Sequence, residues 1–484
     1  MGFRIARASI VAVLAASVTW AAVAARAAEA LPPGVATALD RSKLPRDAFV
    51  AMVQEVGAGA VAPRLTWRSE QPVNPASLMK LLTSYAALET LGQAWSWTTP
   101  VWLQGPLRDG VLDGNLVIKG SGDPKLVVER VWLLLRRVQQ LGVREIRGDI
   151  VLDRSAFAVP EQNPADFDGD GLRPYNVGAD ALMVNYKAIV FTFTPDPARG
   201  VATIAPDVPL AGLRMDAAVP LSDGPCDDWR SALRADFTDP ARHTFAGSYA
   251  AACGERTWPV AYADPKSYNA RAIAGMWREI GGRLVGTVRD GMAPNDRPSF
   301  EVSSPTLAEV VRDMNKYSNN VMAQQLFLTL AFVQRGSGTP DIARELIRQW
   351  AAERFGAAAT AGLVIDNGSG LTRDGRLSAR LLTRLLVTAW SSPVMPELMS
   401  SLPVSGLDGT LKRTRATLGR AHLKTGSLRD VAGIAGYVLA NSGRRYAVVA
   451  IANHPNANAA RTAFDALLQW IAADGTPVAE PTPN

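Results

Sequence analysis

A long run without helical periodicity, set between two regions that have it, most constrains how this chain can fold. From residue 98 to about 262 the chain reads as short β-like segments, at 101–103, 115–119, 149–152, 189–194 and 201–204, punctuated by Gly, Asp and Pro. Only one helix, over 127–141, is expected to interrupt them. Upstream, the spacing predicts strands at 49–53 and 65–67, after a short Pro-containing stretch at 31–46. An amphipathic helix then carries Leu78, Leu81, Leu82, Tyr85, Leu88 and Leu91 on one face, with Asn74 and Pro75 at its start and Gly92 at its stop. Downstream, helices are expected at 267–280, 306–315, 320–332, 340–355, 378–390 and 456–472. Strands at 421–423, 433–439 and 446–452 lie between the last two, with a turn at Asn441-Ser442-Gly443. This order predicts an α/β (α+β) protein whose first helical domain is interrupted by a large β-rich insertion of one or two lobes.

The 484 residues exceed a single ordinary core, and an apolar fraction of 48% with 20% charged residues suits a globular chain. The net charge of +6 falls to +3 once the first 27 residues are set aside, and no block of like charge stands out, which argues against nucleic-acid binding. Those first residues read as an export signal: Arg4 and Arg7, an Ala-rich apolar run, then Ala-x-Ala sites at Ala25-Arg26-Ala27 and Ala28-Glu29-Ala30. An uncleaved membrane anchor is the alternative. In an exported chain, Cys226 and Cys253 suggest one disulfide closing a local loop, two free buried thiols being the alternative. The three histidines, His243, His422 and His454, lack metal-ligand spacing, so no metal site is expected.

Lysine is scarce, nine against 42 arginines, which makes lysine-centred motifs informative. Ser77-Leu78-Met79-Lys80 is the one Ser-x-x-Lys; helical spacing puts the amine one turn after the hydroxyl on the same face, where a neutral lysine could take the serine proton. The bland reading is an exposed Ser and Lys on an ordinary helix. Lys424-Thr425-Gly426 is also unique. A cation and a hydroxyl on a strand can hold a carboxylate, Gly426 permits close approach of a substrate backbone, and Ser427 could lend an N–H to an oxyanion hole. Here the bland reading is a basic edge strand ending in a turn. Ser-x-Asn occurs at Ser318-Asn319-Asn320 and at Ser267-Tyr268-Asn269, and either serine could be a helix N-cap. Gly368-Ser369-Gly370 lacks the strand-turn-helix context of a nucleophile elbow.

Ser-x-x-Lys, Ser-x-Asn and Lys-Thr-Gly in this order resemble the signature of penicillin-binding proteins and serine β-lactamases. The chain further resembles the D-alanyl-D-alanine carboxypeptidase/endopeptidase family of class C low-molecular-mass penicillin-binding proteins (peptidase family S13). The resemblance rests on Asn74 to Lys80, Gly120-Ser121-Gly122-Asp123-Pro124, Gly148 to Asp153, Pro174-Tyr175-Asn176, Asp366 to Leu371, Leu402 to Leu411 and Lys424 to Leu428. The 237 residues between Lys80 and Ser318 match the large insertion of that family and not the short spacing of class A β-lactamases.

The resemblance implies a DD-peptidase (transpeptidase-like) fold with the insertion after the nucleophile helix. It implies Ser77 as the acylated nucleophile, Lys80 as general base, Ser318 as proton relay and Asn320 as binder of the substrate amide. Lys424 and Thr425 would hold the terminal carboxylate, and the N–H groups of Ser77 and Ser427 would form the oxyanion hole. His422, on the strand face of Lys424, is read as structural or as a support to the cleft. Ser267 is read as a helix start where the chain re-enters the first domain. Asn319 stands where Asp is frequent in relatives, at a position that carries no chemistry. The implied plan is a signal at 1–28, a transpeptidase-like domain at 29–97 and 264–475, an insertion at 98–263 and a disordered tail at 476–484. No cofactor is implied. The implied partners are peptidoglycan stem peptides and crosslinks, with β-lactams as covalent inhibitors and at most peripheral membrane contact, and the implied location is the periplasm. A β-lactamase or serine esterase, or a non-catalytic wall-binding protein, are the rival readings.

Overall fold

The computed structural model describes residues 30–57 and 62–475; the expected signal and tail lie outside them. The chain packs as two compact units. One takes the described residues up to Gln93, Val311–Ser318 and the described residues from Arg344 on; the other takes Ala94–Val310 and Asn319–Ala343.

The first unit is built on five antiparallel strands: β1 (Phe49–Glu55), β2 (Leu65–Trp67), β3 (Ala421–Leu428), β4 (Val431–Leu439) and β5 (Arg445–Asn453), in the order β2-β1-β5-β4-β3. The central strands are runs of Val, Ile and Ala buried on both faces, as β1 and β5 show with Ala51 opposite Ala450. Phe49, Ala51, Val448 and Ala450 turn to one core, filled by Val35 of α1 (Pro33–Arg41) and by Phe464 and Leu467 of α4 (Arg461–Ala472). The alternate residues Val50, Met52, Val449 and Ile451 are buried too, on the side where α3 (Ala379–Trp390) packs on β1 and β5. The helix α2 (Met79–Leu91) has every residue from Met79 to Leu88 buried, so it is a central helix and not an amphipathic surface one. Helix α1 falls in the Pro-containing stretch, for which the sequence predicts no element. Its Pro33 occupies the first helical turn, where the missing N–H costs nothing.

The second unit contains a mixed sheet ordered Val288–Asp290, Ile150–Asp153, Asn115–Lys119, Thr98–Gln104, Phe300–Ser303, and a second five-stranded sheet centred on Val201–Pro206. Helices Val128–Gln140 and Pro265–Glu279 share its core through Leu134, Val138, Ile273 and Met276. Cys226 and Cys253 form the expected disulfide, closing a loop of 27 residues. Loop-closure entropy makes such a link worth about 3 kcal/mol. His243 is buried against Phe191 and Phe237, with ring centroids 5.7 and 5.3 Å away, and burial holds its imidazole neutral. It is therefore a core residue. The helix containing Ser267 starts at Pro265, and its cap is Asp264, whose carboxylate accepts from Lys266 N. Ser267 sits in its first turn, and this helix clusters with the second unit. Among the described residues no helix is long and apolar enough to cross a membrane.

Candidate active site

The chain enters the site through Pro72–Val73, a two-residue strand paired with Leu377–Ser378, and then makes a 3-10 turn, Ala76–Leu78, before α2. Ser77 therefore sits in a tight turn ahead of the α-helix, not in its first α turn. Ala76 has φ +47°, a left-handed conformation that costs a residue with a side chain about 1 kcal/mol or more. Asn74 holds it there. Its side-chain carbonyl accepts from Ala76 N at 2.8 Å, and its amide donates to the carbonyls of Thr372 and Arg373 at 2.9 and 3.2 Å. Asn453, at the end of β5, completes the clamp through Asn74 N and O at 2.7 and 2.9 Å.

Lys80 lies within α2, fully buried, and its Nζ donates to Ser77 Oγ at 2.9 Å and to the Ser369 carbonyl at 2.7 Å. Ser77 itself is half-buried. Lys424, on edge strand β3, is also fully buried; its Nζ donates to Ser318 Oγ at 2.8 Å and to the Thr425 carbonyl at 2.7 Å. Thr425 Oγ1 donates to Thr410 Oγ1 at 2.8 Å. At Gly426, β3 runs so close to the nucleophile turn that a Cβ would stand 2.7 Å from the Pro75 carbonyl oxygen. That approach is what brings the third motif beside the first. Ser427 follows, exposed, opposite Ala432.

Ser318 stands after helix Leu307–Lys316 with φ +55°. The helix before it is pinned by Lys316, whose Nζ bonds Asp408 Oδ2 at 2.6 Å and the Leu402 carbonyl at 2.7 Å. The cap of the next helix, Asn320–Arg335, is Asn319, whose side chain accepts from Met322 N at 3.0 Å. This leaves the Ser318 hydroxyl to Lys424. The structure thus brings Ser77, Lys80, Ser318, Lys424 and Thr425 together in one unit. Asn320 opens a helix of the second unit, where its amide donates to the Tyr175 carbonyl at 3.3 Å.

Burial dominates the electrostatics. It pushes Lys80 well below the ordinary lysine value, and the ammonium of Lys424 pushes it further the same way. Burial alone brings Lys424 down to about 7. Two buried amines this close do not both hold protons cheaply, and Lys80 gives its proton up first. The arrangement is chemically a serine hydroxyl bonded to an amine that favours its neutral form, beside a second hydroxyl bonded to a lysine that is a cation below about pH 7. No histidine serves it: His454 Nδ1 accepts from Asn456 N at 3.1 Å, and His422, part-buried on β3, is kept neutral by burial and then by the Lys316 and Arg445 cations.

Acylation of Ser77 should therefore rise with pH as Lys80 deprotonates, with a midpoint far below 10.5. Replacing Lys424 with Met removes a positive neighbour, so the ascending limb should move to higher pH; stopped-flow acylation from pH 5 to 10 measures both. A limb that stays in place would mean the two amines are not coupled. Stability follows the same sign. Between about 7 and 10.5 the unfolded chain carries the Lys424 proton and the folded one does not, so stability climbs with pH across that window.

Sequence reasoning missed Ser369, Gly370 and the clamp role of Asn74. The Asp366-to-Leu371 turn carries part of the resemblance, but its role in the site has no sequence signature: the Ser369 carbonyl receives Lys80 and the Gly368 carbonyl receives Thr83 Oγ1 at 2.7 Å. Gly370 packs against the nucleophile turn, where a Cβ would meet the Ala76 carbonyl oxygen at 1.9 Å, an approach that no local pattern in the sequence signals.

A D-alanyl-D-alanine carboxypeptidase of Actinomadura sp. is 29% identical over 388 residues, covering 75% of this chain and 70% of that protein. The D-alanyl-D-alanine carboxypeptidase DacB of Haemophilus influenzae is 25% identical over 397 residues, covering 78% and 80%. The crystal structure of penicillin binding protein 4 (dacB) from Haemophilus influenzae superposes with a TM-score of 0.70 at 23% identity, covering 90% of this chain and 98% of that one, and that protein is also solved in complex with a β-lactam. The fold is thus that of a penicillin binding protein 4, as the motif order implied. Residues 33–474 match the family model described as the D-Ala-D-Ala carboxypeptidase 3 (S13) family, and the chain belongs to that family.

Proposed function

We propose that this protein is an exported serine D-Ala-D-Ala carboxypeptidase and DD-endopeptidase acting on peptidoglycan stem peptides, with Ser77 as nucleophile. The observation that carries the reading is the buried Lys80 amine 2.9 Å from Ser77 Oγ, beside a second buried lysine. Neutral Lys80 takes the Ser77 proton as Oγ attacks the carbonyl of the penultimate D-Ala. The N–H groups of Ser77 and Ser427 receive the developing oxyanion. Ser318 passes a proton to the departing amine, and charged Lys424 with Thr425 holds the terminal carboxylate. Asn320 binds the substrate amide. The proton that Ser318 passes on is the one Lys80 took, so the Lys80 amine is neutral again; water then attacks the ester carbonyl, gives a proton to Lys80, and Lys80 passes it to Ser77 Oγ as the acid departs. β-Lactams acylate the same serine. The reading includes the Ala-rich N-terminus as a cleaved signal, a periplasmic location, and a catalytic domain at 29–97 and 264–475 interrupted at 98–263. The self-packing of Ala94–Val310 supports an insertion there, although 264–310 clusters with it as well.

Intact-protein mass spectrometry after brief exposure to benzylpenicillin tests the reading. One lasting adduct, mapped to the Ser77 peptide and absent from Ser77→Ala, is expected. Rapid penicillin turnover without a lasting adduct would make the protein a β-lactamase. Folded protein that takes up no penicillin would end the catalytic reading.

A further inference from the structure

The second unit has a groove of about 480 Å³ that the site chemistry does not use. One wall is the flank of helix Pro265–Glu279, where Ala270, Ala274 and Arg278 follow one another at helical spacing. The other wall is the stretch from Arg283 to Asp290, whose Leu284 and Val288 line the floor. That stretch is a sheet edge twice over. It pairs in parallel with Glu145–Ile146 at Arg283–Leu284 and with Ile150–Leu152 at Val288–Asp290. It is the terminal strand in both sheet orders, so among the described residues no strand occupies its outer side.

The groove is also one-signed. Arg271, Arg278 and Arg283 line it, and no Asp or Glu does. Arg271 is held in position, its Nη1 donating to the Ala211 carbonyl at 3.1 Å and its Nε to Ser267 Oγ at 3.3 Å. Arg283 reaches out to Glu145 at 2.9 Å, and Arg278 has no acidic partner among the described residues. Small residues, Ala270, Ala274, Gly282 and Gly286, line it together with Trp277, so a peptide backbone can come close to the walls.

We propose that this groove binds the carboxylate-bearing, alanine-containing peptide stems of the wall polymer, laid as an extended strand along the free edge with their carboxylates on Arg271 and Arg278. An open sheet edge supplies main-chain hydrogen bonds to any extended peptide, and the guanidinium groups select an acidic one. The groove would hold the polymer at a place other than the scissile bond. The identity of the ligand rests on the wall-peptidase reading.

The test uses the full-length protein already acylated by benzylpenicillin, so that the serine site is blocked. Calorimetric titration with a synthetic tetrapeptide stem bearing free carboxylates should show binding at one site. The double variant Arg271→Gln/Arg278→Gln should weaken it at least tenfold, as should amidation of the peptide's carboxylates, while the rate of penicillin acylation stays unchanged. Equal binding by the double variant would overturn the proposal. So would equal affinity for oligoglutamate of the same length, which would mark a site for any acidic polypeptide. Absence of a penicillin adduct would remove the catalytic reading and not this one, which the same titration of the Ser77→Ala protein then decides.

Discussion

Replacing Lys80 with arginine is expected to slow acylation of Ser77 by roughly a thousandfold or more, within the range general-base catalysis supplies. Arginine keeps the charge and a set of donors, so a merely structural or electrostatic role for Lys80 would survive the change in large part. What arginine cannot do is lose its proton. In the native site the amine is fully buried, and burial with the Lys424 cation favours its neutral form. A guanidinium there keeps a charge where the fold disfavours one and cannot accept the Ser77 proton. Rates of benzylpenicillin adduct formation, on protein with native circular dichroism, measure the effect. A loss smaller than tenfold would take the base role away from Lys80.

The second large effect is expected at a residue that carries no chemistry. Gly370→Ala should destabilise the first unit by on the order of 3 kcal/mol and cut acylation at least a hundredfold. Two causes add. Gly370 has φ +79°, which an alanine adopts only at a cost of about 1 to 2 kcal/mol. The new Cβ would also stand 1.9 Å from the Ala76 carbonyl oxygen and 2.5 Å from its carbon, so the backbone of the nucleophile turn must shift. Gly443→Ala is the matched control. It shares a φ of +80° but has nothing within 4 Å, so only the conformational cost of about 1 kcal/mol applies and acylation should be normal. Denaturant midpoints and adduct rates for the two variants separate strain from collision. Equal behaviour would mean that the turn yields easily.

These two residues also mark what could be read beforehand. Lys80 was legible because its role depends on a local spacing: three residues along a helix fix which face the amine shares with Ser77. Strands β4 and β5 were legible for a similar reason, since runs of Val, Ile and Ala bounded by Gly and Asn read as buried strands at any position in a chain, whereas only 421–423 of β3 reads as strand. Gly370 was not, because its importance comes from Ala76, which only tertiary packing brings alongside. Nor were the left-handed backbones of Ala76 and Ser318, which a single sequence assigns to neither residue type. Helix α1 was hidden by its own prolines, which read as a break although they stand at its first turn. The cap at Asn319 shows a finer limit. Ser318 and Asn319 are both good caps, and the backbone twist at Ser318 decides between them.

The way β5 is woven into the sheet sets the timing of activity during synthesis. β1 emerges early, yet its partner on one side is β5, and Asn74 is fastened to Asn453 across 379 residues. The Lys80 amine waits for Ser369, 289 residues later, and Ser318 waits another 106 for Lys424. A nascent chain therefore carries its nucleophile for most of its elongation with no means of activating it. Reactivity toward acyl groups arrives as a single late event, once β5 has slotted between β1 and β4. A ribosome that stops short of that strand releases a chain with Ser77 but without the support that makes it reactive.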